Sequence, residues 1–252
     1  MRIVECEGLF VFYRCEDMNS TPKPEKPNMT MTTLTVAPVA PLLDRLFKVA
    51  DATSPTSIPA LAKLSAEERA RLMRSKTDYL EFYGQMKDVP LPVSRETGVL
   101  LYMLARSCRA RTIVEFGTSF GISTLHLAAA LRDNGGGHLI TSEFEPSKVA
   151  RAKQNLTSGG LTDLVEFREG DALRTLSVDL PETIDLLLLD GAKALYPEIL
   201  SLVESRLKAG ALIVADNADY SPDYLARVRS PSNGYISVPF AEDVELSLRI
   251  GS

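Results

Sequence analysis

Tryptophan is absent from this 252-residue chain, and histidine occurs twice, as His126 and His138. His126 falls inside a helical stretch and His138 opens an apolar strand, so both read as structural. A Ser-His-Asp triad and a histidine-rich metal site are therefore disfavoured. Cysteine is equally scarce. Cys6, Cys15 and Cys108 are too few and too scattered for a disulfide scaffold, which points to a reduced, cytoplasmic protein. Basic residues are in deficit, 28 against 33 acidic, for a net charge of −5. The basic patch of a nucleic-acid binder is thus not in evidence. No apolar run approaches the ~18 residues of a membrane span, so no membrane partner is expected.

The first 38 residues read as an extension that carries no chemistry. The apolar run Gly8–Tyr13 is flanked by Glu5, Glu7 and Arg14, too short and too acidic for a signal peptide. Pro22, Pro24 and Pro27 then stand among polar residues, a composition that reads as disordered linker. Translation starting at Met18, Met29 or Met31 would leave the rest intact. Residues 39–93 read as a helical N-terminal cover. PLLDRLFKVA puts Leu42, Leu43, Leu46, Phe47 and Val49 largely on one face. Ser65-Ala66-Glu67-Glu68 matches a capping box, and the helix it opens is expected to run on through RARLMRSKTDYLEFYGQM. Pro90 and Pro92 interrupt before a further helix, TGVLLYMLARSC.

From residue 94 to 252 the rhythm becomes strand–helix alternation, with strands at TIVEFG, HLITSE, VEFREG, IDLLLLD and ALIVADN. YPEILSLVESRLKAG is expected to be a helix that ends at its glycine. GYISVPF and DVELSLRI form an antiparallel C-terminal pair. The pattern gives an α/β fold, a mostly parallel seven-stranded sheet with helices on both faces. Ligands of such sheets bind at the carboxyl ends of the strands.

The dinucleotide fingerprint G-x-G-x-x-G is missing from that position. In its place stands VEFGTSFGIS, with Glu115, Gly117, Gly121 and Ser123. A carboxylate there suits a cationic or neutral ligand group rather than a pyrophosphate, and the glycines would make room for it. The second strand ends in Glu143, able to accept from vicinal ribose hydroxyls, and Asp171 follows the third, able to accept from an adenine amine. An amino acid, a ribose and an adenine together are S-adenosyl-L-methionine. The fourth strand ends in Asp190 and the fifth in Asp216-Asn217. If these strands are neighbours, about 4.8 Å apart, three oxygen ligands converge on one cation, which suits Mg²⁺, with Mn²⁺ or Ca²⁺ as alternatives. Lys193 stands three residues beyond Asp190. The plainer alternatives are a loop-ordering Asp190, helix-capping Asp216-Asn217 and a solvated Lys193.

From Ser94 onward, through VEFGTSFGIS, TSEFEP, EGDAL, LDGAK and ADN, the chain resembles the cation-dependent class I O-methyltransferases, the group of the catechol and caffeoyl-CoA enzymes. The resemblance implies a Rossmann-like class I methyltransferase fold. It implies cofactor binding by Ser94, Glu115, Gly117, Gly121, Ser123, Glu143, Asp171 and Asp190. It also implies metal binding by Asp190, Asp216 and Asn217, with Lys193 and Asp190 in catalysis and Lys193 as general base. Lys193 would serve if burial and a cation depress its pKa. The Asp-Gly-Ala-Lys motif and the short segment after Asn217 depart from the plant enzymes, so the acceptor is expected only to be a small hydroxylated molecule. A homodimer contact or a lid is the expected role of residues 39–93. A metal-independent O- or N-methyltransferase and a non-catalytic cofactor-binding protein are the alternative readings.

Overall fold

The computed structural model describes residues 31–53, 58–240 and 243–251. The expectations for the extension, with Cys6, Cys15 and the early methionines, fall mostly outside these residues. Residues 32–252 form one compact unit. Within it, residues 32–38, which the sequence assigns to the extension, are already attached. The Thr33 amide and hydroxyl both donate to Asp133, the hydroxyl at 2.5 Å.

Among the described residues seven strands form one sheet: β1 (Thr112–Phe116), β2 (His138–Glu143), β3 (Val165–Glu169), β4 (Ile184–Leu189), β5 (Leu207–Ala215), β6 (Tyr235–Phe240) and β7 (Val244–Arg249). Their order is β3-β2-β1-β4-β5-β7-β6. β1 to β5 are parallel, and β7 runs antiparallel to both β5 and β6. Strand order reverses between β1 and β4, the position at which an open parallel sheet leaves a crevice.

Side-chain alternation divides each central strand between two cores. Ile113, Leu186, Leu188 and Val214 join the first, beneath α1 (Val39–Asp51), α5 (Arg95–Ser107), α6 (Ile122–Asp133) and α7 (Pro146–Ser158). Val114, Leu187, Leu189 and Ile213 join the second, beneath α8 (Ala172–Thr175), α9 (Tyr196–Val203) and α10 (Pro222–Val228). All six residues of β4 are buried, as an apolar run covered on both faces requires. Helix α1 belongs to the first core rather than to a separate cover, since Val39, Leu42, Leu43 and Phe47 pack there. The cover proper is a small cluster of Leu61, Phe82, Met86 and Val89. It is carried by α2 (Pro59–Ala62), α3 (Ala66–Met73), α4 (Tyr79–Gly84) and the segment after them.

Two helices differ from the sequence expectation. The capping box forms, with Ser65 and Glu68 exchanging hydrogen bonds at 2.7 and 3.1 Å. The helix it opens stops at Met73, because the Ser75 hydroxyl takes the amides of Thr77 and Asp78 and turns the chain before α4. Helix α9 ends at Val203, and Gly210 is not its stop. Gly210 lies inside β5 with φ +83°, where the register to β4 jumps from Ile184↔Leu207 to Leu186↔Leu212. It makes a bulge. Among the described residues no helix is long and apolar enough to cross a membrane.

Candidate active site

Two cavities open at the carboxyl ends of the strands. The first, about 610 Å³ including space open to solvent, is lined by Phe116 and Gly117 after β1, Glu143 and Phe144 after β2, and Gly170 and Asp171 after β3. Asp190 and Gly191 after β4 close one side, and Tyr79, Tyr83 and Leu91 form the roof. Four of the predicted cofactor residues, Gly117, Glu143, Asp171 and Asp190, are thus brought together. The wall does not include Ser94, Glu115, Gly121 or Ser123.

Their positions explain why. Glu115 is fully buried, and its two oxygens accept the hydroxyls of Ser123 and Thr124, each at 2.6 Å. Burial pushes its carboxyl up to about 7, against the pull of these hydroxyls. It fastens the start of α6 behind the cavity. Ser94 caps α5 by accepting the Thr97 amide. An added Cβ at Gly121 would meet Ala152 and Leu156 of α7. Gly117 does reach the cavity, but the chain itself demands glycine there. Its φ is +103°, and an added Cβ would lie 2.5 Å from the Asp190 carbonyl oxygen.

Glu143 accepts the amides of Ser119 at 2.9 Å and Glu145 at 3.0 Å, which fixes both carboxylate oxygens at the cavity edge. Burial raises its carboxyl, while the Glu145 amide and the Lys148 ammonium draw it back. Asp171 caps α8 through the Leu173 amide and still lines the cavity. Sequence reasoning missed Lys148, Tyr79 and Tyr83. Lys148 is buried on the same wall, and burial pushes its ammonium down. Only its position one helical turn into α7, behind Glu143, signals it. The tyrosines come from the cover and carry no local motif.

The second cavity, about 1090 Å³ and open to solvent, has a polar floor of Asp190, Lys193, Asp216 and Asn217. Its walls are mainly apolar, from Leu61, Met73, Phe82, Met86 and Leu91, with Asp51, Thr53 and Arg69 among them. β4 and β5 are neighbours, so the sequence's condition for this cluster is met. The Lys193 ammonium lies 2.9 Å from Asp190 and 3.8 Å from Asp216, and its residue is only 4% exposed. It is no solvated loop lysine. Burial alone would push this ammonium down, but Asp190, Tyr196 and Asp216 outweigh it and hold Lys193 well above the usual lysine range. The expected depression is therefore absent in this arrangement, because two carboxylates share one cation. Burial raises Asp190, and burial with Asp190 alongside pushes Asp216 up to about 8.

Asn217 adopts a left-handed conformation with φ +47° and makes no capping bond. Its amide nitrogen donates to Asp243 at 2.8 Å, which leaves the amide oxygen available. Among the described residues no group of three or more His, Cys, Asp or Glu side chains is placed to hold a metal ion. Two crowded carboxylates and one amide oxygen are nonetheless a hard-oxygen donor set that suits Mg²⁺. The histidines stay structural. His126 is buried against the Ile122 carbonyl, and His138 pairs with Glu166. Tyr196 spends its hydroxyl on the Asp216 carbonyl at 2.7 Å and packs in the core.

A family profile described as a methyltransferase domain matches residues 114–218. The chain is 38% identical over 130 residues to a catechol O-methyltransferase of Niastella koreensis, covering 50% of this chain and 58% of that protein. It is 32% identical over 168 residues to a catechol O-methyltransferase of Mycobacterium tuberculosis, covering 66% of this chain and 68% of that one. The chain belongs to the class I O-methyltransferase family of the catechol and caffeoyl-CoA type. Members of known structure superimpose on it. An O-methyltransferase from Streptomyces achromogenes, solved with S-adenosylmethionine, matches with TM-score 0.56 and 25% identity over 80% of this chain and 99% of its own. The profile spans β1 to the turn after β5, the stretch that carries both cavity floors.

Proposed function

We propose that the protein transfers methyl from S-adenosylmethionine to a hydroxyl of a small phenolic or catechol-like molecule, assisted by a divalent cation. One observation carries the reading: a strand-end cavity floored by Gly117, Glu143 and Asp171 adjoins an apolar cavity floored by Asp190, Lys193, Asp216 and Asn217. The first suits the nucleoside and amino-acid parts of the cofactor. The second suits an aromatic ring with hydroxyls directed at the floor.

Transfer is an in-line displacement at the methyl carbon of a sulfonium, so alignment is the main contribution of the protein, on the order of 7–11 kcal/mol. Asp190 lines both cavities and holds Lys193, which ties donor and acceptor floors together. Asp190, Asp216 and the Asn217 oxygen would hold the cation, which supplies a Lewis acid for the acceptor oxygen when bound. With that cation held by Asp190 and Asp216, the two carboxylates would hold the Lys193 proton less strongly, against burial that pushes its ammonium down. Lys193, on the floor of the second cavity, is the group placed to take the acceptor's hydroxyl proton. Closure of the cover over bound ligands would exclude water from the displacement.

A second reading, metal-independent methyl transfer, is favoured by the Lys193 ammonium, which already neutralises the carboxylate pair. The test is a panel of catechols, flavonoids and hydroxybenzoates incubated with labelled S-adenosylmethionine, with Mg²⁺ or after exhaustive chelation. Turnover that survives chelation removes the cation. Absence of labelled product from every acceptor removes the enzyme and leaves a cofactor-binding protein.

A further inference from the structure

Among the described residues three line both cavities: Tyr83, Leu91 and Asp190. They form the partition across which methyl must pass. Leu91 brings no polar atom, and Asp190 is occupied by Lys193. Tyr83 is used by nothing described so far. It sits on α4 with its ring edge-on to Phe82, centroids 5.2 Å apart, which fixes the ring from the cover side. Part of the residue reaches solvent, yet its hydroxyl oxygen is buried; the Lys193 backbone amide lies near that oxygen without forming a well-aligned bond, and the O–H has no acceptor among the described residues. A buried hydroxyl in that state calls for an explanation, and an arriving ligand supplies one.

Burial pushes the Tyr83 phenol up, and Lys193 and Asp190 are the charges that act on it most strongly. The group therefore stays protonated and acts as a donor rather than a base. Which atom receives its hydrogen bond follows from the reaction. A hydrogen bond to the attacking oxygen would weaken as that oxygen loses its negative charge to the new bond, which disfavours the transition state. A neighbouring oxygen on the same ring carries no such penalty.

Resting on the methyl-transfer reading, we propose that Tyr83 contacts the acceptor: its hydroxyl donates to the oxygen adjacent to the one that is methylated, so the site selects rings with two neighbouring oxygens. No proton leaves Tyr83 in the cycle, and Leu91 beside it keeps that hydrogen bond dry.

The experiment is Tyr83→Phe, which keeps the ring and deletes the hydroxyl. Calorimetry measures S-adenosylhomocysteine binding, then catechol and phenol binding to the S-adenosylhomocysteine complex with Mg²⁺, alongside catechol turnover. The expected result is a catechol affinity and kcat/KM lowered about tenfold, with phenol affinity unchanged, so the preference for catechol narrows. Melting temperature and S-adenosylhomocysteine affinity should hold near wild-type values, since the O–H has no acceptor among the described residues. Tyr83→Leu, which removes the ring as well, should lower stability. An unchanged catechol affinity in Tyr83→Phe, an equal loss for both rings, or a lowered melting temperature overturns the proposal. Wild-type protein that methylates nothing in the panel overturns the methyl-transfer reading, and this one with it.

Discussion

Glu115 sits in the expected motif and is bonded from within the protein. Its two oxygens hold the hydroxyls that open α6, and burial sets its carboxyl at about 7 against an ordinary 4.5. A folded-state pKa raised in this way contributes stability that is complete below about 4.5 and lost as pH rises through about 7. Glu115→Gln keeps the shape without the titration. Urea midpoints of the wild type should therefore fall relative to the variant between about pH 5 and about pH 8, by energy on the order of a few kcal/mol. Parallel curves would show that the carboxyl is ionised throughout. Asp216 and Lys193 make a second pair of tests. Asp216→Asn removes one of two charged oxygens, so Mg²⁺ affinity should drop and activity should return only at high Mg²⁺. Lys193→Met should instead leave Mg²⁺ and cofactor binding near wild type while lowering kcat by roughly 10²–10⁴. Equal losses of binding in both variants would point to a folding defect.

At the level of elements, the cover differs from the sheet in how it is held. Its cluster of Leu61, Phe82, Met86 and Val89 is separate from both cores, whereas α1 and α5 are locked into the first. Hydrogen exchange in α3 and α4 should slow when S-adenosylhomocysteine, Mg²⁺ and catechol are added together. Protection gained only at the strand ends would show that these helices do not close over ligand. The same contrast explains what the sequence conveyed. Period and capping located α5, α6, α7 and all seven strands, because each is set by local pattern and burial. The break at Ser75 and the bulge at Gly210 arise from side-chain hydrogen bonds and from register to a neighbouring strand. A hydrophobic period is blind to both. Gly210 in particular is read as a helix stop by any local rule.

For the whole molecule, the packed body begins at Thr32, since Thr33 is bonded to Asp133 and Val39 lies in the core. A chain beginning at Met31 should keep the melting temperature and cofactor affinity of the full sequence, whereas one beginning at Val39 should lose stability. Equal melting temperatures for the two would show that the Thr33–Asp133 contact adds nothing. The floors of both cavities were legible because strand ends converge by topology, so Glu143, Asp171, Asp190, Lys193, Asp216 and Asn217 follow from the strand order. The roof was not. Tyr79, Tyr83 and Leu91 reach the site from a chain segment whose placement depends on tertiary packing alone.

The tight seam at Gly117 also constrains what descendants of this chain can become. An added Cβ at Gly117 would strike the Asp190 carbonyl, and one at Gly191 would lie 2.4 Å from the Phe116 ring. The two floors are therefore one casting, and drift there damages both cavities together. The walls of the second cavity meet no such backbone seam, but Leu61, Phe82 and Met86 also form the cluster that holds the cover, so apolar exchanges are what the site tolerates. New acceptor preferences should thus evolve, or be selected in the laboratory, by apolar exchanges at Leu61, Met73, Phe82 and Met86. In a library limited to apolar residues at those four positions, altered acceptor profiles with unaltered S-adenosylhomocysteine affinity should be common, while the same effort spent on Gly117 and Gly191 should yield mainly unfolded chains.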